Sequence, residues 1–172
     1  MQLTAFNQLL TPYREPMLRF AWSLIRNKEE AEDLVQDVYL KLWAKRSALS
    51  KVDNLEAYVM RAVKNETLNR LKRPLLNSTE SEDGVLETNP QHLLEAADAE
   101  EILLRLIAQL PPVQKTVFQL RTFGHFEATQ IATMLETDLN NIRVNLSIAR
   151  KKLKKAFQEY MRDEKERLRS TS

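Results

Sequence analysis

An all-α fold is predicted for this chain of 172 residues, with two small helical domains joined by a flexible acidic linker. Apolar residues recur at steps of three and four towards both ends of the chain, which is the spacing of one helix face. The stretch Leu76–Gln91 lacks that periodicity and is rich in Asn, Ser, Thr and acidic residues. We therefore predict one domain at residues 1–75, a linker at 76–91, and a second domain at 92–172 that contains a helix-turn-helix.

The N-terminal block is predicted to begin with two helices. One starts near Phe6 and continues, or is followed by another, past Pro16, and the pattern breaks at Asn27-Lys28. Glu29 then opens a helix that runs through Trp43, since acidic residues favour the positive end of the helix dipole. Its apolar face is predicted to comprise Ala31, Leu34 or Val35, Val38 and Leu42.

A loop is predicted at Lys45–Asn54, followed by a helix at Leu55–Arg73 that Pro74 ends. One side of this helix is polar and basic, at steps of four, four and three. Its members are Arg61, Asn65, Asn69 and Lys72.

The C-terminal block predicts a helix-turn-helix. Helices are expected at Val113–Thr122 and Glu127–Leu135, with Gly124 in the break between them. Glu136 to Asp138 then form a turn, and Asp138 is a candidate N-cap for a long last helix. The apolar stripe of that helix comprises Leu139, Ile142, Leu146, Ala149 and Leu153.

Polar and basic residues surround this stripe. They are Asn140, Asn141, Arg143, Asn145, Arg150, Lys151, Lys152, Lys154 and Lys155. Asn is a poor helix former, so three of them in the opening turns indicate a demand other than helix stability. Asn can pair with adenine, and Arg with guanine or phosphate. The pattern therefore favours a helix that enters the major groove of DNA, with a solvated basic face as the alternative.

Charge is strongly segregated behind the net value of +2. Residues 1–73 carry +4, residues 74–101 carry −8, and residues 139–172 carry +6. Two basic blocks separated by an acidic one indicate two surfaces for a polyanion. We hypothesise that the free protein closes through the acidic segment and so hides its basic faces.

Several classes of function are disfavoured by composition. The absence of cysteine excludes disulfides, thiolate zinc sites and a cysteine nucleophile, and two glycines are too few for phosphate-cradling loops. The two histidines, His92 and His125, are predicted to be solvated or capping. We expect no enzyme activity, no metal and no cofactor. Without an apolar run of about 18 residues or a signal-peptide pattern, the protein is predicted to be soluble and cytoplasmic.

Two blocks carry a family resemblance. AEDLVQDVYLKLW (31–43) and NLEAYVMRAVKNETLNRLKR (54–73) resemble conserved region 2 of bacterial RNA polymerase sigma factors. The segment from Leu110 to Lys155 resembles their region 4, and the short linker matches the extracytoplasmic-function (ECF) subgroup. The resemblance implies a sigma factor that binds core polymerase, directs it to promoters through their −10 and −35 elements, and assists strand opening for transcription initiation.

The resemblance also implies three sets of site residues. Contacts to core polymerase are expected from Asp33, Gln36, Asp37 and Lys41. Contacts to the −10 element are expected from Tyr58, Arg61, Lys64, Asn65, Asn69 and Arg70. Contacts to the −35 element are expected from Arg121, Asn140, Asn141, Arg143, Val144, Asn145, Arg150 and Lys151. Tyr58 stands where the family usually has Trp, and we favour a core role for it.

The implied partners are core polymerase, through its β′ clamp helices and β flap, promoter DNA, and an anti-sigma factor, which in this family is often membrane-bound. A monomer is expected for the free protein. Some positions depart from the family pattern. Glu136 replaces a turn glycine, Glu127 replaces a capping Ser or Thr, and Glu66 replaces an apolar residue. Basic residues or His are common where Asn145, Ser147 and Ile148 stand.

Two other functional classes fit parts of the pattern. A conventional helix-turn-helix regulator would bind duplex DNA without core polymerase, but such proteins usually carry a sensing or dimerising domain. The N-terminal half shows no βα alternation of a receiver domain. A purely protein-binding helical adaptor is the third class, and the basic stripes at both ends of the chain argue against it.

Overall fold

The computed structural model describes residues 2–72 and 90–170, with side chains from residue 99 onward in the second range. The helices are α1 (Leu3–Ile25), α2 (Lys28–Ala44), α3 (Arg46–Leu49), α4 (Leu55–Lys72), α5 (Pro90–Ala108), α6 (Pro112–Thr122), α7 (Ala128–Leu135) and α8 (Leu139–Ser170). The described residues contain no strand, which confirms the all-α prediction. Most of the predicted linker lies outside the described residues. No helix in the described ranges is long and apolar enough to cross a bilayer.

Helix α1 runs without interruption through Pro12 and Pro16. Each proline removes a backbone donor from the helix interior. Leu10 and Met17 are nevertheless fully buried, so tertiary packing holds the helix together across both positions. The helix ends at Arg26, whose backbone is left-handed (φ 60°) and whose N–H donates to a carbonyl of the last turn at 2.8 Å.

Helix α2 begins at the predicted acidic turn. The Asn27 side chain accepts a hydrogen bond from the Glu30 N–H at 3.0 Å. Its buried residues are Ala31, Leu34, Val35, Val38 and Leu42, so Leu34 and Val35 both belong to the core. Helices α1, α2 and α4 pack against one another. The buried residues of α4 are Val59, Met60, Val63, Lys64 and Thr67.

The prediction of a loop at Lys45–Asn54 is wrong in part, because the short helix α3 forms within this segment. Leu49 is only 3% exposed, and burial of its side chain favours an ordered turn over an open loop. Asn54 then caps α4, with its Oδ1 accepting the Ala57 N–H at 2.9 Å.

The predicted helix-turn-helix is confirmed by α6, α7 and α8. Asp138 is the expected cap, since its Oδ1 accepts the Asn141 N–H at 2.8 Å. Glu136 adopts the left-handed conformation (φ 56°, ψ 46°) in place of the usual glycine. The Thr137 N–H then donates to the Ala132 carbonyl at 3.0 Å, which closes the end of α7.

The connection between α6 and α7 is tightly packed at Gly124. A Cβ there would lie 2.6 Å from the Leu120 carbonyl oxygen and 2.7 Å from Phe126 Cδ2. The Leu120 oxygen also accepts the Phe126 N–H at 3.2 Å, so the backbone has little freedom to move aside. The position therefore requires glycine for close approach.

We expect Gly124→Ala to lower the free energy of unfolding by about 1–3 kcal/mol, because the added methyl group overpacks this connection. Urea denaturation followed by circular dichroism measures the change. Thr122→Ala is the control at an exposed site two residues away, and it should stay within about 0.5 kcal/mol of wild type. Equal stability of the two variants would contradict the close approach at Gly124.

The described residues form two compact units. One comprises the described part of Met1–Leu76 together with Gln119–Ile142, and it includes α7 and the turns that flank it. The other comprises the described part of Asn77–Phe118 together with Arg143–Ser172. Buried apolar residues of this second unit are Ile107, Leu110, Val117, Leu146, Ala149 and Leu153. The domain boundaries predicted at residues 75 and 92 stay a prediction.

Candidate functional site

The polar stripe predicted on α4 faces solvent. Its exposed members are Arg61, Asn65, Asn69 and Lys72. Tyr58, near the start of the helix, is half-buried, and Lys64 is buried at 9% exposure. The helix therefore presents amides and cations on one side while its apolar residues enter the core of the first unit.

Lys64 and Arg61 both hold the carboxylate of Glu136. Lys64 Nζ lies 2.8 Å from one oxygen, and Arg61 Nη2 lies 2.7 Å from the other. The hydrogen bond from Lys64, the charge of Lys64 and the charge of Arg61 lower the pKa of Glu136 below its ordinary value. Glu136 is thus held as a carboxylate between two cations of α4.

Arg70 of α4 lies between two acidic residues of α2. Its Nη2 donates to Asp33 at 2.9 Å and to Asp37 at 2.6 Å. Burial acts to lower the pKa of Arg70, but hydrogen bonds to both carboxylates and their charges raise it above the ordinary value. The structure therefore brings together one residue predicted to contact DNA and two predicted to contact polymerase.

The other two predicted polymerase contacts, Gln36 and Lys41, are also exposed on α2. Lys41 forms an ion pair with Glu66 of α4. That pairing accounts for an acidic residue where the family pattern has an apolar one, because the Glu66 side chain is only 12% exposed and a buried charge needs a partner.

The start of α8 presents most of the predicted −35 residues to solvent. Asn140, Asn141, Arg143, Val144, Arg150 and Lys151 are exposed, whereas Asn145 is half-buried. The Asn141 side chain donates to Thr137 Oγ1 at 2.8 Å, which connects this amide to the preceding turn. The first turns of α8 therefore display amides, an arginine and an apolar side chain, the groups that read base edges in a major groove.

Arg121, the remaining −35 candidate, lies at the end of α6. Its guanidinium donates to the Phe126 carbonyl at 3.0 Å and pairs with Glu127 at 2.8 Å. At the start of α7 the Gln130 side chain accepts the Glu127 N–H at 2.9 Å. Glu127 thus occupies the position of the usual capping Ser or Thr, and the Gln130 side chain accepts the hydrogen bond from the Glu127 N–H.

A group of aromatic and arginine side chains was not anticipated from the sequence. Phe126 packs against Phe20 with ring centroids 6.3 Å apart. Arg26 lies over two rings, with its guanidinium carbon 4.1 Å from the Trp22 centroid and 4.0 Å from that of Phe123. These contacts hold the α6–α7 connection against α1 within the first unit. No sequence pattern identified these contacts, because their partners are about 100 residues apart in the chain.

No metal-binding cluster of three His, Asp or Glu side chains occurs among the described residues. His125 is exposed in the α6–α7 connection, with φ 53°. The side chain of His92 is outside the description.

Comparison with known proteins gives a consistent result. The sigma-70 region 2 model matches residues 9–74, and the sigma-70 region 4 model matches residues 100–153. RNA polymerase sigma-H factor of Pseudomonas aeruginosa is 24% identical, over 92% of this chain and 89% of its own. The ECF RNA polymerase sigma factor SigW of Bacillus subtilis is 19% identical, over 90% of each chain.

Two solved structures share the fold. The sigma factor RpoE in complex with the anti-sigma factor NepR, from Bartonella quintana, is 23% identical with a TM-score of 0.59, over 91% of this chain and 98% of that one. CnrH in complex with the cytosolic domain of CnrY is 19% identical with a TM-score of 0.58, over 92% and 90%. With both sigma regions matched in order along one chain, this protein belongs to the ECF group of the sigma-70 family of RNA polymerase sigma factors.

Proposed function

We propose that this chain binds core RNA polymerase in the cytoplasm and directs it to promoters by recognising −10 and −35 elements. The supporting observation is that two solvent-facing sets of amides and cations, on α4 and at the start of α8, fall in the two matched sigma regions. The chain itself carries out no catalysis in this scheme, because nucleotide addition belongs to the polymerase.

The α4 surface is proposed to capture the −10 element and keep its strands apart. An opened strand needs cations along its backbone, aromatic surfaces for stacking and a pocket for an extruded base. Arg61, Lys64 and Arg70 would supply the cations, while Asn65 and Asn69 would reach base edges. Tyr58, being half-buried, would support the helix more than it stacks on DNA.

The start of α8 is proposed to read the −35 duplex. Its first two turns would place Asn140, Asn141, Arg143, Val144 and Asn145 near base edges and the adjoining backbone. Arg121, Arg150 and Lys151 would bind phosphates and position the helix without reading sequence.

The exposed face of α2 is proposed to dock on the β′ clamp helices, and the region 4 segment on the β flap. An anti-sigma factor is proposed as a further partner, and the free chain as a monomer. Support for the anti-sigma partner comes from RpoE, which shares this fold and was solved in complex with the anti-sigma factor NepR.

Capture of core polymerase tests the docking face. We expect Asp33→Ala/Asp37→Ala to weaken capture at least about tenfold, the loss expected when charged contacts at a protein interface are removed. These substitutions also remove the ion pairs of Arg70. Arg70→Gln is therefore the control, because it breaks the same pairs and keeps both carboxylates. Equal loss in the two variants would mean that the acids act by orienting α4 and not by contacting polymerase.

Transcription by core polymerase on genomic DNA of the source organism tests the overall function. Discrete transcripts that appear only when the chain is added support a sigma factor. Duplex DNA binding without core capture or transcripts would place the chain among conventional helix-turn-helix regulators.

A further inference from the structure

Glu136 has a backbone conformation that is unfavourable for residues other than glycine. It lies at the end of α7 with a left-handed backbone, a conformation that crowds the Cβ of any residue other than glycine. Its carboxylate nevertheless spans two cations that are distant in sequence, Arg61 at 2.7 Å and Lys64 at 2.8 Å. The turn of the helix-turn-helix thus places an acid directly on α4.

The two cations are those proposed to bind the −10 strand. They lie three residues apart on α4, so their side chains can hold one anion together. Each oxygen of Glu136 takes one cation, which is the arrangement that the two free oxygens of a backbone phosphate would require. Carboxylate and phosphate are therefore alternatives at this place.

Packing within the first unit holds Glu136 next to α4. Helix α7 packs against α4, and Phe126, just before α7, is buried against Phe20. The cluster is open to solvent on one side, since the side chains of Glu136 and Arg61 are 48% and 55% exposed, whereas that of Lys64 is only 11% exposed. The exposed Arg61–Glu136 pair is weak and screened by salt, so a strand of DNA can displace the carboxylate from Arg61 first and then pair with Lys64.

We propose that Glu136 is an internal substitute for a DNA phosphate, which occupies the Arg61–Lys64 pair in the free protein and competes with the promoter strand for it. This inference depends on the proposed −10 role of α4. The sequence led us to hypothesise that the acidic linker covers the basic faces of the free protein. The structure instead indicates that Glu136, in the turn of the helix-turn-helix, covers the cations of α4. Loss of the carboxylate exposes the cation pair and raises the affinity of the free chain for single-stranded DNA.

The test is binding of a fluorescein-labelled, random-sequence oligonucleotide of about 12 nucleotides to the full-length chain at low salt, measured by fluorescence anisotropy. We expect Glu136→Gln and Glu136→Gly each to tighten binding about 5- to 10-fold, because the binding-competent fraction increases. Glycine also suits the left-handed turn, so this second variant preserves the fold. Circular dichroism verifies the helical content of each protein.

Two control measurements test whether the gain in affinity comes from the Arg61–Lys64 pair. Glu101→Gln removes the same charge from an exposed pair with Arg105 on α5, and it should leave affinity within about twofold of wild type, because this carboxylate pairs with Arg105 and an exposed ion pair contributes little. In the background Arg61→Gln/Lys64→Gln, the gain from Glu136→Gln should disappear, because the site for the phosphate is gone.

The outcomes separate this inference from the proposed function. If Arg61→Gln/Lys64→Gln weakens binding but Glu136→Gln does not strengthen it, α4 binds DNA and the competition by Glu136 is refuted. A gain from Glu136→Gln no larger than that from Glu101→Gln also refutes it. If Arg61→Gln/Lys64→Gln leaves binding unchanged, both the inference and the −10 role of these cations fail, whereas core-dependent transcription still tests the sigma activity independently.

Discussion

Replacement of Phe126 by alanine is expected to lower the free energy of unfolding by about 3–5 kcal/mol. The ring is 1% exposed, it packs against Phe20, and the guanidinium carbon of Arg19 lies 4.6 Å from its centroid. Truncation removes the burial of an aromatic ring, leaves a cavity, and removes a cation–π contact. Because Phe126 connects the helix-turn-helix to α1, one substitution weakens two parts of the first unit.

Urea denaturation followed by far-ultraviolet circular dichroism measures this effect. Phe157→Ala on α8 is the matched control, because it removes the same side chain at a site that is 47% exposed. That variant should stay within about 0.5 kcal/mol of wild type. A comparably small loss for Phe126→Ala would show that the α6–α7 connection does not pack against α1 in solution.

The second large effect is expected in −35 recognition. Asn140→Ala and Arg143→Ala should each cost roughly 1–3 kcal/mol of discrimination between a preferred duplex and an unrelated one. The double variant should therefore bind its preferred site about 30-fold less tightly or worse and lose transcription from it. Both side chains are exposed, and alanine is the better helix former, so this loss does not come from unfolding.

Arg150→Ala/Lys151→Ala provides the comparison, since both residues are exposed further along α8. Loss of two phosphate contacts should weaken binding to all duplexes alike and reduce the slope of log affinity against log salt by about 2. The preferred duplex is first selected from a random pool with the wild-type chain. If Asn140→Ala/Arg143→Ala instead weakens preferred and unrelated duplexes equally, these residues bind phosphate and do not read bases.

Much of the helical architecture could be predicted because its signals are local. Asp138 caps α8 as predicted, and Asn27, predicted only as a break in the pattern, caps α2; each side chain accepts a hydrogen bond from the backbone three residues further on. The apolar periodicity of α2 and α8 correctly identified their buried faces. The short helix α3 escaped prediction, because the burial of Leu49 depends on neighbours that four residues of sequence do not identify.

The candidate sites were predictable only as surfaces. Spacing along α4 identified Arg61, Asn65 and Asn69 as one exposed side, and the family resemblance supplied their proposed role. Neither indicated that Arg70 lies between Asp33 and Asp37. Periodicity states which side chains share a face, but it contains no information about the partner across that face.

Local sequence thus specifies the helices, their caps, their apolar faces and the membership of the sigma-70 family. The pairing of Lys64 with Glu136, 72 residues away, and the packing of Phe126 on Phe20 are decided by tertiary structure alone. The physical reason is the separation along the chain between the groups that interact. Helix formation and capping depend on groups within one or two turns, whereas an ion pair or a ring contact between distant residues exists only once the chain has folded.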